Sequence, residues 1–537
     1  MTLCALRLKP KQEELLLDIK QMNKLEKATA SGRSEAMRIG YALLFMVGII
    51  LYIGTHIEGI EGGFILVVAA VVGGYMAMNI GANDVANNVG PAVGSKALTL
   101  TGAILIAAIF EAAGALIAGG DVVSTIKKGI INPSAIGDAD TFIWLMLAAL
   151  LAGALWLNLA TYVGAPVSTT HSIVGGVLGA GIAAGGWGIA NWDQMGAIAA
   201  SWVISPVFGG LIAAGFLYLI KRTITYKKDM RVAAKKMVPV LILLMAWAFS
   251  TYLALKGVKK LIKLDFVSAL AIGFAIAVVV YFIVKGLVAK AADRLDNDKS
   301  GVNKLFTIPL IFAAALLSFA HGANDVANAV GPLAAINDSI INHGVSTKAS
   351  IPLWVMMVGA LGIALGLALF GPKLIKTVGS EITELDQTRA FSIAMAAAIT
   401  VIIASQLGLP VSSTHIAVGG VFGVGFLREY LKSSHARMMD EIKSHHQGAD
   451  QEEVEQFLAE FENATIEEKG AMLKQLKKKT ASAELSKKER KQLKKAYKQE
   501  LVKRSAVYKI AAAWIITVPA SGTLAAILFF VIRGVMV

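Results

Sequence analysis

The chain has 537 residues, of which 56% are hydrophobic and only 16% are charged, and its formal net charge is +14. A soluble domain carries about a quarter charged residues, so this composition argues against a soluble protein. The lysines and arginines flank apolar runs, which indicates cytoplasmic loops of a membrane protein and no nucleic-acid partner. The single cysteine, Cys4, excludes an intramolecular disulfide framework.

Residues 1–38 precede the first apolar run and form a leader with leucines and charges at helical spacing. The leader is too long and too polar for the start of a cleaved signal peptide. We expect a cytoplasmic amphipathic segment, followed by an extra N-terminal span within 39–62.

Apolar runs along the rest of the chain are long enough to cross the roughly 30 Å hydrocarbon layer as helices. They predict an all-α polytopic protein of the cell membrane, inner or plasma. The first run is the shortest and needs helical extension toward Met37. The eleven runs are 40–54, 63–79, 97–119, 141–163, 196–220, 238–255, 265–284, 305–320, 351–371, 389–408 and 508–533.

Two motifs occur twice in the same order, which indicates a duplicated unit. GANDVANNVGP at 81–91 matches GANDVANAVGP at 322–332 at ten of eleven positions. PVSTTHSIVGGVLG at 166–179 matches PVSSTHIAVGGVFG at 410–423. We therefore assign 63–220 to repeat 1, 221–304 to connecting spans, and 305–429 plus 507–537 to repeat 2.

Residues 430–506 form a charged insert in repeat 2. Its first half is acidic and its second half is basic. We predict a cytoplasmic helical hairpin, with a disordered charged linker as the alternative.

Basic loops predict the topology, because lysine and arginine are enriched on the cytoplasmic side. All the basic segments lie on the cytoplasmic side only if each repeat contains one extra crossing, at 166–184 and 410–427. The repeats then have opposite orientations, with about 12–13 crossings in total and discontinuous or re-entrant segments. This is the inverted-repeat plan of many secondary transporters, which bind substrate near the membrane midplane. The basic loop 256–264 falls outside and is the exception.

The GANDVAN segments place carboxylates and amides at membrane depth, where polar groups are costly and mark candidate functional sites. Glycine and proline at Gly81, Gly90 and Pro91 can open the helix and expose carbonyl oxygens. Such hard oxygen ligands suit Na⁺, whereas an aspartate alone could carry a proton. Amides that only join helices are the structural alternative. The predicted Na⁺- or H⁺-binding residues are Asn83, Asp84, Asn87, Asn324, Asp325 and Asn328.

The PVS-T-H motifs have the proline and hydroxyl residues typical of helix N-termini, which bind tetrahedral anions through free N–H groups. Ordinary helix capping is the alternative. The predicted anion-binding residues are Ser168, Thr169, Thr170, Ser412, Ser413 and Thr414.

No lysine or arginine lies within the four motifs, and the nearest is Lys96. A divalent anion in a low-dielectric site needs positive charge, which cotransported cations can supply. This argues for symport. Glu111, with no acidic counterpart in repeat 2, and the motif histidines His171 and His415 are candidate modulators, although a structural role is favoured for the histidines.

Together these motifs, with GSKALTL at 94–100 and IFEAAGA around Glu111, resemble the PiT family of inorganic phosphate transporters. The resemblance covers about 63–430 and 505–533. It implies phosphate symport with Na⁺, or less favourably H⁺, by alternating access, an inverted-repeat fold, and a homodimer. It also implies that the Asn–Asp pairs serve the cations and the Ser/Thr clusters serve phosphate, with no cofactor.

Two other functions remain open at this point. A symporter for another oxyanion, such as sulfate, would use the same donors. A membrane phosphate sensor that signals through the insert would belong to a different class. Duplicated motifs give no reason to expect a nucleophile, so we do not expect an enzyme.

Overall fold

The structure is a computed structural model that describes residues 35–56, 61–165, 167–257, 264–344, 351–375, 385–443 and 504–537. The described part is helical, apart from one isolated β-bridge. The main helices are α1 (Glu35–His56), α2 (Gly63–Asn83), α3 (Val85–Gly94), α4 (Leu100–Ala118), α5 (Gly120–Lys128), α6 (Ala139–Val163), α7 (Thr169–Gly185), α8 (Trp192–Ile220), α9 (Met230–Lys256), α10 (Phe266–Asp293), α11 (Lys299–Leu305), α12 (Thr307–Asp325), α13 (Ala327–Ile341), α14 (Leu353–Phe370), α15 (Gln387–Gln406), α16 (Ser413–Lys443) and α17 (Arg504–Met536).

The polytopic helical fold is confirmed. Eleven helical segments in the described residues are long and apolar enough to span a membrane, and each overlaps one of the predicted runs. The central helices of both repeats are mostly buried, whereas α1 and α10 expose large apolar side chains such as Leu44 and Phe282. Exposed apolar side chains on long helices are expected where helices face lipid. The leader up to residue 34 and the insert from 444 to 503 lie outside the described residues.

The helix breaks lie inside the duplicated motif, but not at its glycines or proline. The α2 helix ends at Asn83 and α3 begins at Val85, so Asp84 occupies the break, while Gly90 and Pro91 are within α3. In repeat 2 the corresponding break is at Val326. The prediction that Gly81, Gly90 and Pro91 open the helix was therefore wrong in position, although each motif does interrupt its helix.

Gly81 serves helix crossing instead. A Cβ at Gly81 would overlap the carbonyl oxygen of Ile363 on α14, and a Cβ at Gly322 would overlap that of Glu111 on α4. The first glycine of each GANDVAN motif thus lets a helix of the other repeat approach the backbone closely.

The two helix pairs that contain the GANDVAN motifs, α2–α3 and α12–α13, run antiparallel to each other. Gly62, just before α2, faces Ile340 near the end of α13, and a Cβ on Gly73 would lie 3.0 Å from Leu333. Residue numbers rise along one helix pair as they fall along the other. Because these pairs are the corresponding parts of the two repeats, the repeats are inverted.

The β-bridge between Ile131 and Ala190 joins the loop before α6 to the loop after α7, so both loops lie on one face and the two helices run in opposite directions. The segment 166–184 thus returns the chain to the face from which α6 starts, as the charge pattern of repeat 1 requires. The α7 helix has 17 residues and is about 26 Å long.

Each hydroxyl-bearing helix packs against the last helix of the other repeat. A Cβ on Gly179 of α7 would overlap the Gly522 carbonyl oxygen on α17, and a Cβ on Gly423 of α16 would overlap the Gly210 carbonyl oxygen on α8. This exchange of helices brings both motifs of both repeats to the centre of the molecule.

We expect Gly81→Val to destabilise the protein, because the new side chain meets the backbone of α14. Overpacking of this kind costs about 1–3 kcal/mol. Thermal unfolding of the detergent-solubilised protein measures the effect. Gly215→Val is the matched control, since no atom lies within 4 Å of a Cβ at Gly215. Equal unfolding midpoints for the two variants would contradict the close crossing.

Candidate functional site

The twelve predicted phosphate- and cation-binding residues meet at the centre of the protein, and all of them are buried. The GANDVAN residues lie at the breaks of the α2–α3 and α12–α13 pairs. The hydroxyl residues lie at the N-termini of α7 and α16. Sequence positions more than 300 residues apart therefore share one site.

Ser168 and Ser412 cap their own helices. The Ser168 Oγ accepts a hydrogen bond from the His171 backbone N–H at 3.1 Å, and the Ser412 Oγ accepts one from His415 at 3.2 Å. A capping serine accepts from the first turn in this way. The capping interpretation is thus correct for one hydroxyl of each motif, and the next two residues of each motif face the site.

Asp84 joins the two hydroxyl motifs. The Thr169 hydroxyl donates to its Oδ2 at 2.5 Å, and the Thr414 hydroxyl donates to its Oδ1 at 2.7 Å. Thr169 belongs to repeat 1 and Thr414 to repeat 2. One buried carboxylate therefore connects both repeats at the place where the anion is expected.

Asp325, the counterpart of Asp84, has different partners. The Ser413 hydroxyl donates to its Oδ2 at 2.9 Å. The His321 Nε2 lies 2.7 Å from the same oxygen, at ion-pair distance but outside hydrogen-bond geometry. The second oxygen, Oδ1, is buried and accepts no hydrogen bond from the described residues.

The asparagines divide into two pairs. Asn87 donates to the Thr414 hydroxyl at 2.9 Å, and Asn328 donates to those of Thr169 and Thr170 at 3.1 and 3.2 Å, so both reach across the repeat boundary.

Asn83 and Asn324 bind within their own repeats. Asn83 donates to Thr161 and Ala165 and accepts from the Val167 N–H. Asn324 donates to the Ser405 hydroxyl. These two asparagines fix the segments that lead into the hydroxyl motifs.

The site brings together buried oxygen atoms of the kind that coordinate hard cations. Ligand atoms of Asp84, His321 and Asp325 lie within 4.8 Å of one another. The buried amide oxygens of Asn87 and Asn324 and the Asp325 Oδ1 accept no hydrogen bond from the described residues. Carboxylate and amide oxygens are hard ligands, as Na⁺ prefers.

Glu111 pairs with His321, which directly precedes the second GANDVAN motif, whereas Ile80 precedes the first. The His321 Nδ1 lies 2.6 Å from the Glu111 Oε2, and Asn88 donates to the Oε1 at 2.7 Å. The helix crossings make Ile363 the counterpart of Glu111, and Ile80 is the counterpart of His321. A polar pair in one half thus replaces an apolar pair in the other. Two unmatched positions in the repeat alignment were the signal that could have found it.

His171 and His415 form a column of rings with two tryptophans. The His171 ring lies 3.8 Å from Trp202 and 4.3 Å from His415, and the His415 ring lies 3.7 Å from Trp514. Each repeat supplies one histidine and one tryptophan, and the two histidines meet in the middle. This packing agrees with the structural role that the sequence favours for both histidines.

A model of the phosphate transporter family matches residues 80–525, which is most of the chain. The chain belongs to the phosphate transporter family. This is a family of phosphate transporters, so the match, together with the helical membrane fold, points to a transporter rather than an enzyme. A multi-pass membrane location follows from the same match and from the eleven apolar helices.

Relatives of this family member share most of its length. A candidate phosphate permease of Helicobacter pylori is 56% identical over 523 residues, which cover 96% of this chain and 98% of the relative. A candidate permease of Pyrococcus abyssi is 40% identical over 363 residues, which cover 68% of this chain and 89% of the relative. Among solved structures, one described as the sodium-dependent phosphate transporter is 32% identical, with a TM-score of 0.71, and covers 88% of this chain and 100% of its own.

Removing His321 alone should destabilise the protein more than removing it together with Glu111. His321→Ile leaves the buried Glu111 carboxylate without its partner, and breaking a buried pair costs about 3–5 kcal/mol. The double variant Glu111→Ile/His321→Ile reproduces the Ile80–Ile363 arrangement of the other half.

A double-mutant cycle of thermal stability measures the coupling between the two positions. Additive effects of the two single variants would contradict the pairing.

Proposed function

We propose that this protein is a symporter that carries inorganic phosphate across the membrane together with Na⁺ by alternating access. One observation carries the proposal: the Asp84 carboxylate accepts hydrogen bonds from Thr169 and Thr414, so that a cation ligand and the anion donors of both repeats are in direct contact. Occupancy of one type of site must then affect the other.

Phosphate would bind between the N-termini of α7 and α16. The first turn of each helix offers backbone N–H groups and the positive end of its dipole. The hydroxyls of Thr169, Thr170, Ser413 and Thr414 surround the same place. Ser168 and Ser412 hold the two helix starts in position and can donate through their own hydroxyl protons.

Sodium ions would bind at the GANDVAN breaks, through Asp84 and Asp325 and the amide oxygens of their neighbouring asparagines. These cations offset the charge of the anion in a site whose four motifs contain no lysine or arginine. The structural neighbour is a sodium-dependent transporter by name, which favours Na⁺ over H⁺ as the coupling ion for this chain.

Alternating access would use the inverted repeats. Rocking of one repeat against the other opens a midplane site to each face in turn. The domain ranges given above, the cytoplasmic insert and the homodimer are parts of the same proposal. Light scattering of the purified protein in detergent tests the dimer.

A symporter for sulfate is the second candidate. Phosphate carries a proton at neutral pH and can donate it to a carboxylate, whereas sulfate cannot. The Asp325 Oδ1 accepts no hydrogen bond from the described residues, and as an acceptor in the site it favours phosphate.

Uptake of labelled phosphate into proteoliposomes should require an inward Na⁺ gradient, because cations balance the charge of the bound anion. Na⁺ and pH gradients are imposed separately, and excess sulfate is added as competitor. Uptake driven by the pH gradient alone would show that the coupling ion is H⁺ and not Na⁺. Full inhibition by sulfate would replace phosphate by a broader oxyanion class.

Replacing Ser168, Thr169 and Thr170 by alanine should raise the KM for phosphate about tenfold or more, since each lost donor to a charged group weakens binding by about 1.5–3 kcal/mol. The matched control is Ser392→Ala with Thr400→Ala, whose buried hydroxyls bond only to backbone carbonyls of α15 in the described contacts. If the triple variant lowers protein abundance and leaves KM unchanged, these residues serve helix capping alone.

A further inference from the structure

The hydroxyl protons of the site are already engaged within the protein. A hydroxyl group has one proton to donate. Thr169 and Thr414 donate theirs to Asp84, Ser413 donates to Asp325, and Thr170 donates to the Val411 carbonyl oxygen. In this arrangement none of these four hydroxyls can also donate to a phosphate oxygen.

Three of the four acceptors are aspartate oxygens, which are the same atoms that would bind a cation. Phosphate and the aspartates are both anions, and they compete for the same hydroxyl protons. A cation bound to a carboxylate and to the lone pairs of a neighbouring hydroxyl repels the hydroxyl proton. That proton must then point away from the carboxylate, where an anion can accept it.

We propose that Asp84 and Asp325 withhold the phosphate donors until a cation binds them. Cation binding then prepares the anion site by turning hydroxyl protons, in addition to adding positive charge. The inference rests on the proposed function and names how the two sites of that function are coupled. It assigns Asp84 and Asp325 a second role, as inhibitors of phosphate binding in the absence of the cation.

The two aspartates should differ in strength. By the repeat alignment, the bond from Thr414 to Asp84 corresponds to a bond from Thr170 to Asp325. Thr170 donates to Val411 instead, and the Asp325 Oδ1 accepts no hydrogen bond from the described residues. Asp84 therefore holds two donors and Asp325 holds one, so Asp84 should restrain phosphate binding more.

The Asp84→Ala variant separates this inference from a simple loss of the cation site. It removes one negative charge. Without a bound cation, the site of the variant therefore has the same net charge as the wild-type site with one Na⁺ bound. It also releases Thr169 and Thr414 as donors. Phosphate should then bind with little need for Na⁺, whereas loss of an essential cation ligand alone predicts weak binding in every medium.

The experiment measures the Kd of labelled phosphate for the purified full-length protein in NaCl and in choline chloride. For the wild type we expect binding roughly tenfold or more weaker in choline, because charge-assisted donors are withheld. For Asp84→Ala we expect similar Kd values in both media, within about threefold of the wild type in NaCl. Asp325→Ala should lie between them. Asp140→Ala, which removes an exposed carboxylate from the first turn of α6, should behave as wild type.

The Thr414→Val variant provides an independent test, because the substitution does not change the charge of the site. It should weaken phosphate binding in NaCl and leave binding in choline unchanged, because the hydroxyl is withheld there in the wild type. Thr414→Ser should restore the wild-type pattern. Size-exclusion profiles and unfolding midpoints identify any variant that fails to fold, and Asp84→Leu, which fills a similar volume without a hydrogen-bond acceptor, then takes the place of Asp84→Ala.

The outcomes separate the inference from the proposed function. A wild type that binds no phosphate in either medium overturns phosphate transport itself. Equal binding of the wild type in both media overturns sodium coupling. A wild type that depends on Na⁺, with an Asp84→Ala variant that is equally dependent or binds poorly in both media, overturns the inference alone.

Discussion

A buried carboxylate that accepts hydroxyl protons from both halves of the protein is the interaction on which the site depends. Burying the charge of Asp84 within the membrane is costly unless hydrogen bonds or cations compensate it. Thr169 and Thr414 supply that compensation from different repeats. The stability of the central region and the binding chemistry are therefore tied to the same few bonds. In the proposed symport, a bound cation is an alternative partner for each carboxylate.

The exchange of helices between repeats makes that interaction possible. Glycines such as Gly81, Gly322 and Gly179 let helices of opposite repeats cross with their backbones in contact. A side chain at any of these positions would separate the helices and move the hydroxyl motifs away from the GANDVAN breaks. Helix association in lipid relies on such close packing of small residues, because the hydrophobic effect does not favour one apolar surface over another there.

Pseudo-symmetry sets the plan of the site, and departures from it give the two halves different properties. Glu111 and His321 form a buried polar pair where the other half has Ile363 and Ile80. Thr414 reaches Asp84, whereas Thr170 bonds to the Val411 carbonyl oxygen. In the proposed alternating-access mechanism the two repeats differ in conformation at any moment, and the unequal contacts of Thr414 and Thr170 agree with such a difference.

The spans, the duplication, the charged loops and the residue types of the site could all be predicted from the amino-acid sequence. Hydropathy, motif repetition and helix-capping patterns are local, so they can be read without a fold. The helix breaks were predicted at the wrong residues of the motif, since proline and glycine allow a break without requiring one. The pairing of Thr414 with an aspartate 330 residues away, and of Glu111 with a histidine 210 residues away, could be seen only in the folded protein. Those pairs arise because helices of each inverted repeat pack against helices of the other. Local sequence patterns do not predict such packing between distant helices.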